Sequence, residues 1–307
     1  MSKLSENDEI LIGEYEDFYR HFHENMFFSY LFLNEKAQVF HYTNLENIGS
    51  IIQTSALRFT ESSCLNDSSE GFYIVDVLKE LLRKNIFDSE FCNEILISLD
   101  KDVLNDIYDL DCDKYFICCF SLNDDSLPLW VNYTNKCGAK LGFSLSDIYR
   151  TINSFCCKYN ISIDPCKVIY GKEKTENFLL DNLQYIYSRW EKGEKNFIKY
   201  FLNYINSVKF AFKHKAFEAE EEYRIVLKTD KNFIENAIKD DIVKTGLTKN
   251  GLKSFLDIPF SKESLNSLKI SPTLEEKPLK SAIVKMFCKN GFDANLPITL
   301  SDIPLRF

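Results

Sequence analysis

The sequence predicts an α+β fold in a single domain, with a mixed sheet flanked by helices, and three observations carry that prediction. Strand-like and helix-like segments follow one another along the 307 residues without the regular spacing of βαβ units. No Gly-rich turn of the doubly wound kind is present. The 10 Gly and 7 Pro are scattered, with no Ser-rich or charge-block linker and no internal repeat, so one domain over residues 1–307 is expected. Apolar residues make up 45% of the chain, enough at this length to bury a sizeable core.

The first element expected is an amphipathic helix over residues 10–28, where Leu11, Tyr15, Phe18, Tyr19 and Phe22 recur at helical intervals. Residues 1–36 are thus a helical segment packed on the body of the fold. Residues 37–42 read as a short strand. Thr43-Asn44-Leu45-Glu46 has the Ser/Thr-x-x-Glu form of a capping box and opens a helix with Leu45, Ile48, Ile51 and Ile52 as its buried stripe. Residues 57–60 return as a strand, and residues 62–71 have the composition of a polar loop. Two helices precede a strand at residues 115–120. Residues 140–145 and 167–170 are further strands, and the aromatic- and Lys-rich stretch 175–217 reads as helical. A strand at 223–228 begins at an acidic run. A strand at 268–270, a helix over 279–288 and a terminal segment 301–307 complete the chain.

Composition narrows the function classes. A net charge of −9 argues against long-range attraction to phosphate backbones, although a locally basic cleft stays compatible with it. None of the ten cysteines forms a Cys-x-x-Cys pair, and the adjacent pairs Cys118-Cys119 and Cys156-Cys157 are awkward for bridging or shared ligation, so reduced core thiols are expected. The polar, acidic residues 1–9 are wrong for a secretory signal, and no apolar run approaches the length of a bilayer span. A cytoplasmic protein without a membrane partner is expected. Neither Gly-x-Gly-x-x-Gly nor Gly-x-x-x-x-Gly-Lys-Ser/Thr occurs, so any nucleotide must be held without a Rossmann or P-loop cradle. Gly-x-Ser-x-Gly and His-Glu-x-x-His are absent as well. With four histidines, of which His21 and His23 do not share a helix face, no metal site is expected.

Four segments could carry chemistry. His41 stands at the end of a strand just before a capped helix, where a side chain can point into a cleft; taken alone, such a His is as often structural as functional. Trp130 and Tyr133 follow the strand at 115–120, and a lone aromatic pair is more often core. In Glu218 to Arg224, period-two alternation puts Glu220, Glu222 and Arg224 on one sheet face, where the bland alternative is a solvated charge run. Asn66-Asp67-Ser68-Ser69-Glu70 reads either as a further polar site or as a turn before a helix.

In this order and spacing the segments resemble DUF2971, a bacterial domain of unknown function. The resemblance rests on the His-Tyr-Thr of His41, Tyr42 and Thr43, the Asn-Asp-x-x-Glu from Asn66 to Glu70, and the Cys-Phe-Ser of Cys119, Phe120 and Ser121. It continues through Trp130 to Tyr133, Gly138 to Phe143, Val168-x-Tyr170, Phe217 with Glu220 to Arg224, and the terminal Ile303-Pro304-Leu305-Arg306. Ser68 stands where the family has Pro, and Leu129 where Met commonly precedes the Trp.

The front segment also resembles the opening of ADP-ribosyltransferase folds, among them DNA-modifying toxins and RNA 2′-phosphotransferases. That resemblance implies a split, NAD-gripping sheet and a His-Tyr-Glu arrangement, for which His41, Tyr133 and Glu222 fall in the required order. In the implied enzyme His41 bonds a ribose hydroxyl of NAD, Tyr133 stacks on the nicotinamide, and Glu222 stabilises positive charge on the ribose. Glu220 orients or deprotonates the acceptor, and Arg58 or Arg224 holds phosphate. Tyr42, Thr43, Asn66 and Trp130 complete the implied NAD-binding set. The resemblance further implies an RNA or DNA acceptor ahead of protein, a toxin or phage-defence role, and a neutralising partner protein. Two alternatives stand beside it. Asp67, Glu70, Glu220 and Glu222 could gather Mg²⁺ for phosphodiester cleavage, or Trp130 and Tyr133 could form the patch of a non-catalytic interaction module.

Overall fold

The computed structural model of the chain describes residues 37–65, 71–102, 114–230, 233–234, 237–238, 242–248 and 251–305. The expected helix at 10–28 and the segment Asn66 to Glu70, with Asp67, lie outside these residues, as does Arg306. Along the chain come β1 (Gln38–Asn44), α1 (Leu45–Thr54), β2 (Ala56–Glu61), α2 (Tyr73–Leu82), α3 (Ser89–Asp102) and β3 (Lys114–Ser121). Next are α4 (Leu127–Asn132), β4 (Gly138–Ser144), α5 (Leu145–Tyr159), β5 (Ser162–Lys167), β6 (Ile169–Tyr170), α6 (Lys172–Trp190) and α7 (Asn196–Val208). The last are β7 (Phe212–Lys213), β8 (Glu222–Thr229), β9 (Val243–Thr248), β10 (Gly251–Pro259), β11 (Leu265–Ile270), α8 (Glu276–Asn290) and β12 (Ile298–Leu300). The mixture is α+β, as expected.

The described residues fall into two compact units. The larger is built on a mixed sheet of ten strands in which only β11 and β12 pair parallel. Its main path runs β12-β11-β4-β1-β3-β2-β10-β9, and β8 and β5 add on beside β3. β3 explains the shape. All eight of its residues pair with β8, from Lys114 opposite Thr229 to Ser121 opposite Glu222. Its other edge is shared: β1 touches it only at Phe40 opposite Ser121, and β2 only at Ile117 and Phe116. Between those contacts β1 and β2 diverge, so the sheet is split at Cys118 to Phe120. One face of the strands is apolar, with Val39, Phe59, Phe116, Phe120, Tyr223 and Leu256 buried in a common core.

Local sequence explains how helices close that core. α1 begins at Asn44, whose side chain accepts from the Asn47 amide at 2.8 Å. The expected cap was Thr43, one residue earlier, but Thr43 stays in β1 opposite Ala139. Ile48, Ile51 and Ile52 share one face and are buried, about 1.5–3 kcal/mol each. α5 is capped by Ser144, buries Leu145, Ile148, Ile152 and Cys156, and stops at Asn160 in the left-handed region. Gly138, which opens β4, stands so close to β1 that a Cβ there would lie 2.2 Å from the Thr43 carbonyl.

The smaller unit holds α2, α3, α6 and α7 with the two-stranded parallel sheet β6-β7. Phe91 meets Tyr187 edge-on, Tyr187 stacks on Trp190, and the Trp190 indole donates to Glu94 at 2.9 Å. The stretch read as one helical region over 175–217 is two helices, interrupted after Trp190 where Gly193 takes a positive φ of 86°. Its last part is the short strand β7 followed by a 3-10 turn that starts at Lys215, not a continued α-helix. The strand read at 167–170 is likewise two, β5 ending at Lys167 and β6 starting at Ile169. The cysteines depart from the core expectation: Cys92, Cys118 and Cys156 are buried, whereas Cys137, Cys157 and Cys288 are exposed, all of them free. Among the described residues no helix is long and apolar enough to cross a membrane.

Candidate functional site

A cavity of about 220 Å³ opens where the larger unit's sheet splits. Its wall includes His41 from β1, Arg58 from β2, Tyr133 just past α4, Glu220, Glu222 from β8 and Lys253 from β10. Three of these are the residues expected as the His-Tyr-Glu set, and the fold brings all three together from positions 41, 133 and 222.

His41 spans the split. Its Nδ1 lies 3.1 Å from the carbonyl oxygen of Cys119, the part of β3 that β1 and β2 leave uncovered. A carbonyl accepts only, so Nδ1 carries the proton, and in the neutral ring Nε2 is then an acceptor. Burial holds the His41 pKa below its ordinary value of 6.5, against the opposing pull of the Cys119 bond. The site therefore presents a neutral imidazole with one free lone pair.

The two carboxylates reach the cavity by different routes. Glu222 is the first residue of β8, 6% exposed, and its Oε2 accepts from Arg224 Nη2 at 2.7 Å. Arg224, two residues on along the same face, is fully buried and forms no part of the cavity wall. Strand alternation thus holds for Glu222 and Arg224. It does not extend to Glu220, which ends a 3-10 turn over Lys215–Glu220. Glu220 is turned to the same cavity because Glu221 adopts φ of +43°, a left-handed conformation that costs about 1–2 kcal/mol for a residue with a side chain.

The loop after β3 holds that strained turn. Ser121 Oγ donates to the Glu220 carbonyl at 2.8 Å, the Leu122 amide to the Glu221 carbonyl at 2.8 Å, and Asn123 Nδ2 to Glu221 Oε1 at 2.8 Å. The loop is itself pinned. The Tyr42 hydroxyl donates to the Asn123 carbonyl and accepts from the Ser126 amide. Asp124 pairs with Lys140 and Lys269, and Asp125 accepts from the Trp130 indole at 2.7 Å and from Ser301 at 2.7 Å. Burial would raise both aspartates, but these bonds win and hold them below the usual carboxylate range.

Tyr133 closes the arrangement. Its hydroxyl donates to Glu220 Oε1 at 2.6 Å, and the residue as a whole is 42% exposed. Burial of the phenol, and then the Glu220 charge, push its pKa well above the ordinary value. Arg58 lies 3.5 Å over the Phe255 ring, is paired with Asp257 at 3.0 Å, and lines the cavity together with Lys253.

Of the residues expected to hold NAD, His41, Tyr42, Arg58 and Tyr133 line the cavity. Thr43, Trp130 and Arg224 do not. Thr43 accepts from Asn47 Nδ2 at 2.8 Å, and Trp130 is wholly buried against Tyr42. An interaction patch built on Trp130 is therefore left with Tyr133 alone. Among the described residues no three His, Cys, Asp or Glu side chains are placed to hold a metal ion. Lys253 and Ser121 went unassigned in the sequence: the β9-β10 hairpin showed no strand signal that was read, and Ser121 was visible only as the end of Cys-Phe-Ser.

Residues 129–225 match the model of a family described as a protein of unknown function, DUF2971. The family expected from the sequence is the one found over that segment, which contains Tyr133, Glu220, Glu222 and Arg224 but not His41. No curated protein and no solved structure matches the chain.

Proposed function

We propose that the cavity binds NAD and cleaves its nicotinamide glycosidic bond, passing ADP-ribose to a macromolecular acceptor. The observation that carries this reading is the convergence of a neutral His41, the Tyr133 ring and a fixed Glu222 carboxylate on one cavity at the split of the sheet.

Each group suits one requirement of the reaction. Breaking the C1′–N bond builds oxocarbenium character on the ribose, and a carboxylate already oriented by Arg224 stabilises that charge without reorganising. His41 Nε2, an acceptor, matches a ribose hydroxyl, which is a donor. The ring of the partly exposed Tyr133 offers a flat apolar face to nicotinamide. Arg58 and Lys253 on the cavity wall suit the pyrophosphate, the role expected of Arg58 or Arg224. Glu220, beside Glu222, takes the acceptor proton.

Nucleic acid is favoured over protein as acceptor. Arg58 and Lys253, on the adjoining strands β2 and β10, put two basic groups on the cavity wall of a chain of net charge −9, with Lys244 of β9 and Arg58 both paired with Asp257. An effector of the toxin or phage-defence kind, with a neutralising partner protein, is the setting such chemistry suits by analogy. The test is nicotinamide release from NAD by the native chain, His41→Ala and Glu222→Gln in the presence of cell lysate. Release that falls about 100- to 1,000-fold in Glu222→Gln supports the reading. Equal release by all three chains refutes it.

A further inference from the structure

We propose that Tyr133 caps Glu220 against water, and that the acceptor must carry an O–H or N–H group able to take over the bond that the tyrosine hydroxyl makes. The proposal rests on the reading of the cavity as an NAD site.

Glu220 is 7% exposed, and its backbone is clamped. Ser121 holds its carbonyl, and the left-handed Glu221 behind it is held by Leu122 and Asn123. The Tyr133 hydroxyl at 2.6 Å is a strong, charge-assisted partner for Oε1. While that bond stands, water that displaces it gives up a short bond for a weaker one, and NAD bound at Glu222 meets no activated nucleophile. Tyr133 is the more accessible partner of that bond, so an incoming group reaches its hydroxyl first. Phe40, Tyr42 and Phe120 line the same cavity at 7%, 7% and 2% exposure, whereas Tyr133, beyond the end of the six-residue α4, is 42% exposed.

The acceptor's chemistry follows. A group that replaces the phenol on Glu220 must itself donate a hydrogen bond. Its proton then passes to Glu220 Oε1, the electron pair of the broken O–H or N–H bond forms the new bond to C1′, and the C1′–N pair departs with neutral nicotinamide. A carboxylate acceptor fails on both counts, bringing no donor and placing a third negative charge beside Glu220 and Glu222.

Tyr133→Phe keeps the ring and removes the cap. In the absence of acceptor its NAD hydrolysis is expected to rise about tenfold over the native chain, the value of one charge-assisted hydrogen bond, with KM for NAD little changed. Adding Glu220→Gln to Tyr133→Phe is expected to abolish the gain, which a merely structural tyrosine would not do. Hydrolysis by Tyr133→Phe at or below the native rate overturns the cap, and so does a transferred label that neutral hydroxylamine removes, the mark of a carboxylate ester. A native chain that neither binds nor consumes NAD overturns the NAD reading and the cap together, a result distinct from loss of the cap alone.

Discussion

At the scale of single residues the site depends on which form each group takes. His41 is held neutral by burial, with its proton on the nitrogen that faces Cys119. Because its folded pKa lies below the ordinary 6.5, the unfolded chain binds more protons than the native one just below that pH. Its contribution to stability is therefore intact above pH 6.5 and declines as the pH falls below it. An NMR titration is expected to place the His41 midpoint below 6.5; a ring that titrates at or above 6.5 would contradict the assignment. Arg224 and Glu222 are a buried ion pair, 0% and 6% exposed. Arg224→Met takes the guanidinium from the buried carboxylate and is expected to cost about 3–5 kcal/mol in chemical denaturation, as breaking a buried pair by removing one partner does. A loss under 1 kcal/mol would mean that Glu222 is held by something else.

The elements show which features of the sequence were sufficient. α1 could be read because a buried stripe follows a polar cap, α8 from its apolar spacing ahead of Gly291, and β3 and β8 because apolar residues run through them. α5 was not read, although Ser144 caps it and Leu145, Ile148, Ile152 and Cys156 form its buried stripe. The β9-β10 hairpin was missed for a physical reason. Its outer half carries Leu247 and Leu252 opposite each other and both exposed, so the alternation that marks a half-buried strand is broken. Glu220 was expected in the cavity and is there, but through a turn and a strained Glu221 rather than through strand alternation, and a left-handed glutamate leaves no mark in sequence. Gly138 is an element-scale requirement of the same kind. Gly138→Ala forces a methyl group against the Thr43 carbonyl where β4 crosses β1, and a loss of about 1–3 kcal/mol is expected from a shifted urea midpoint with unchanged slope. Stability equal to the native chain would show that the two strands can part there at no cost.

For the whole molecule, the α+β class was legible in the sequence, and the cause of the split in the sheet is visible in the register. β3 gives one edge wholly to β8 and divides the other between β1 and β2. His41 reaches the uncovered Cys119 carbonyl in the gap, and Glu220, Glu222, Arg58 and Lys253 are in the wall of the cavity there. Sequence could give the order of these residues; it could not show that Trp130 and Arg224 face inward to hold the wall rather than outward to a ligand, because burial of an aromatic or a guanidinium is decided by neighbours far along the chain. The most direct test of the account is transfer of label from adenine-labelled NAD to a cell lysate divided by nuclease or protease treatment, comparing the native chain with Glu222→Gln. The account predicts label from the native chain alone, lost when the nucleic acid is digested. No transfer by either chain, with NAD neither bound nor consumed, would contradict it.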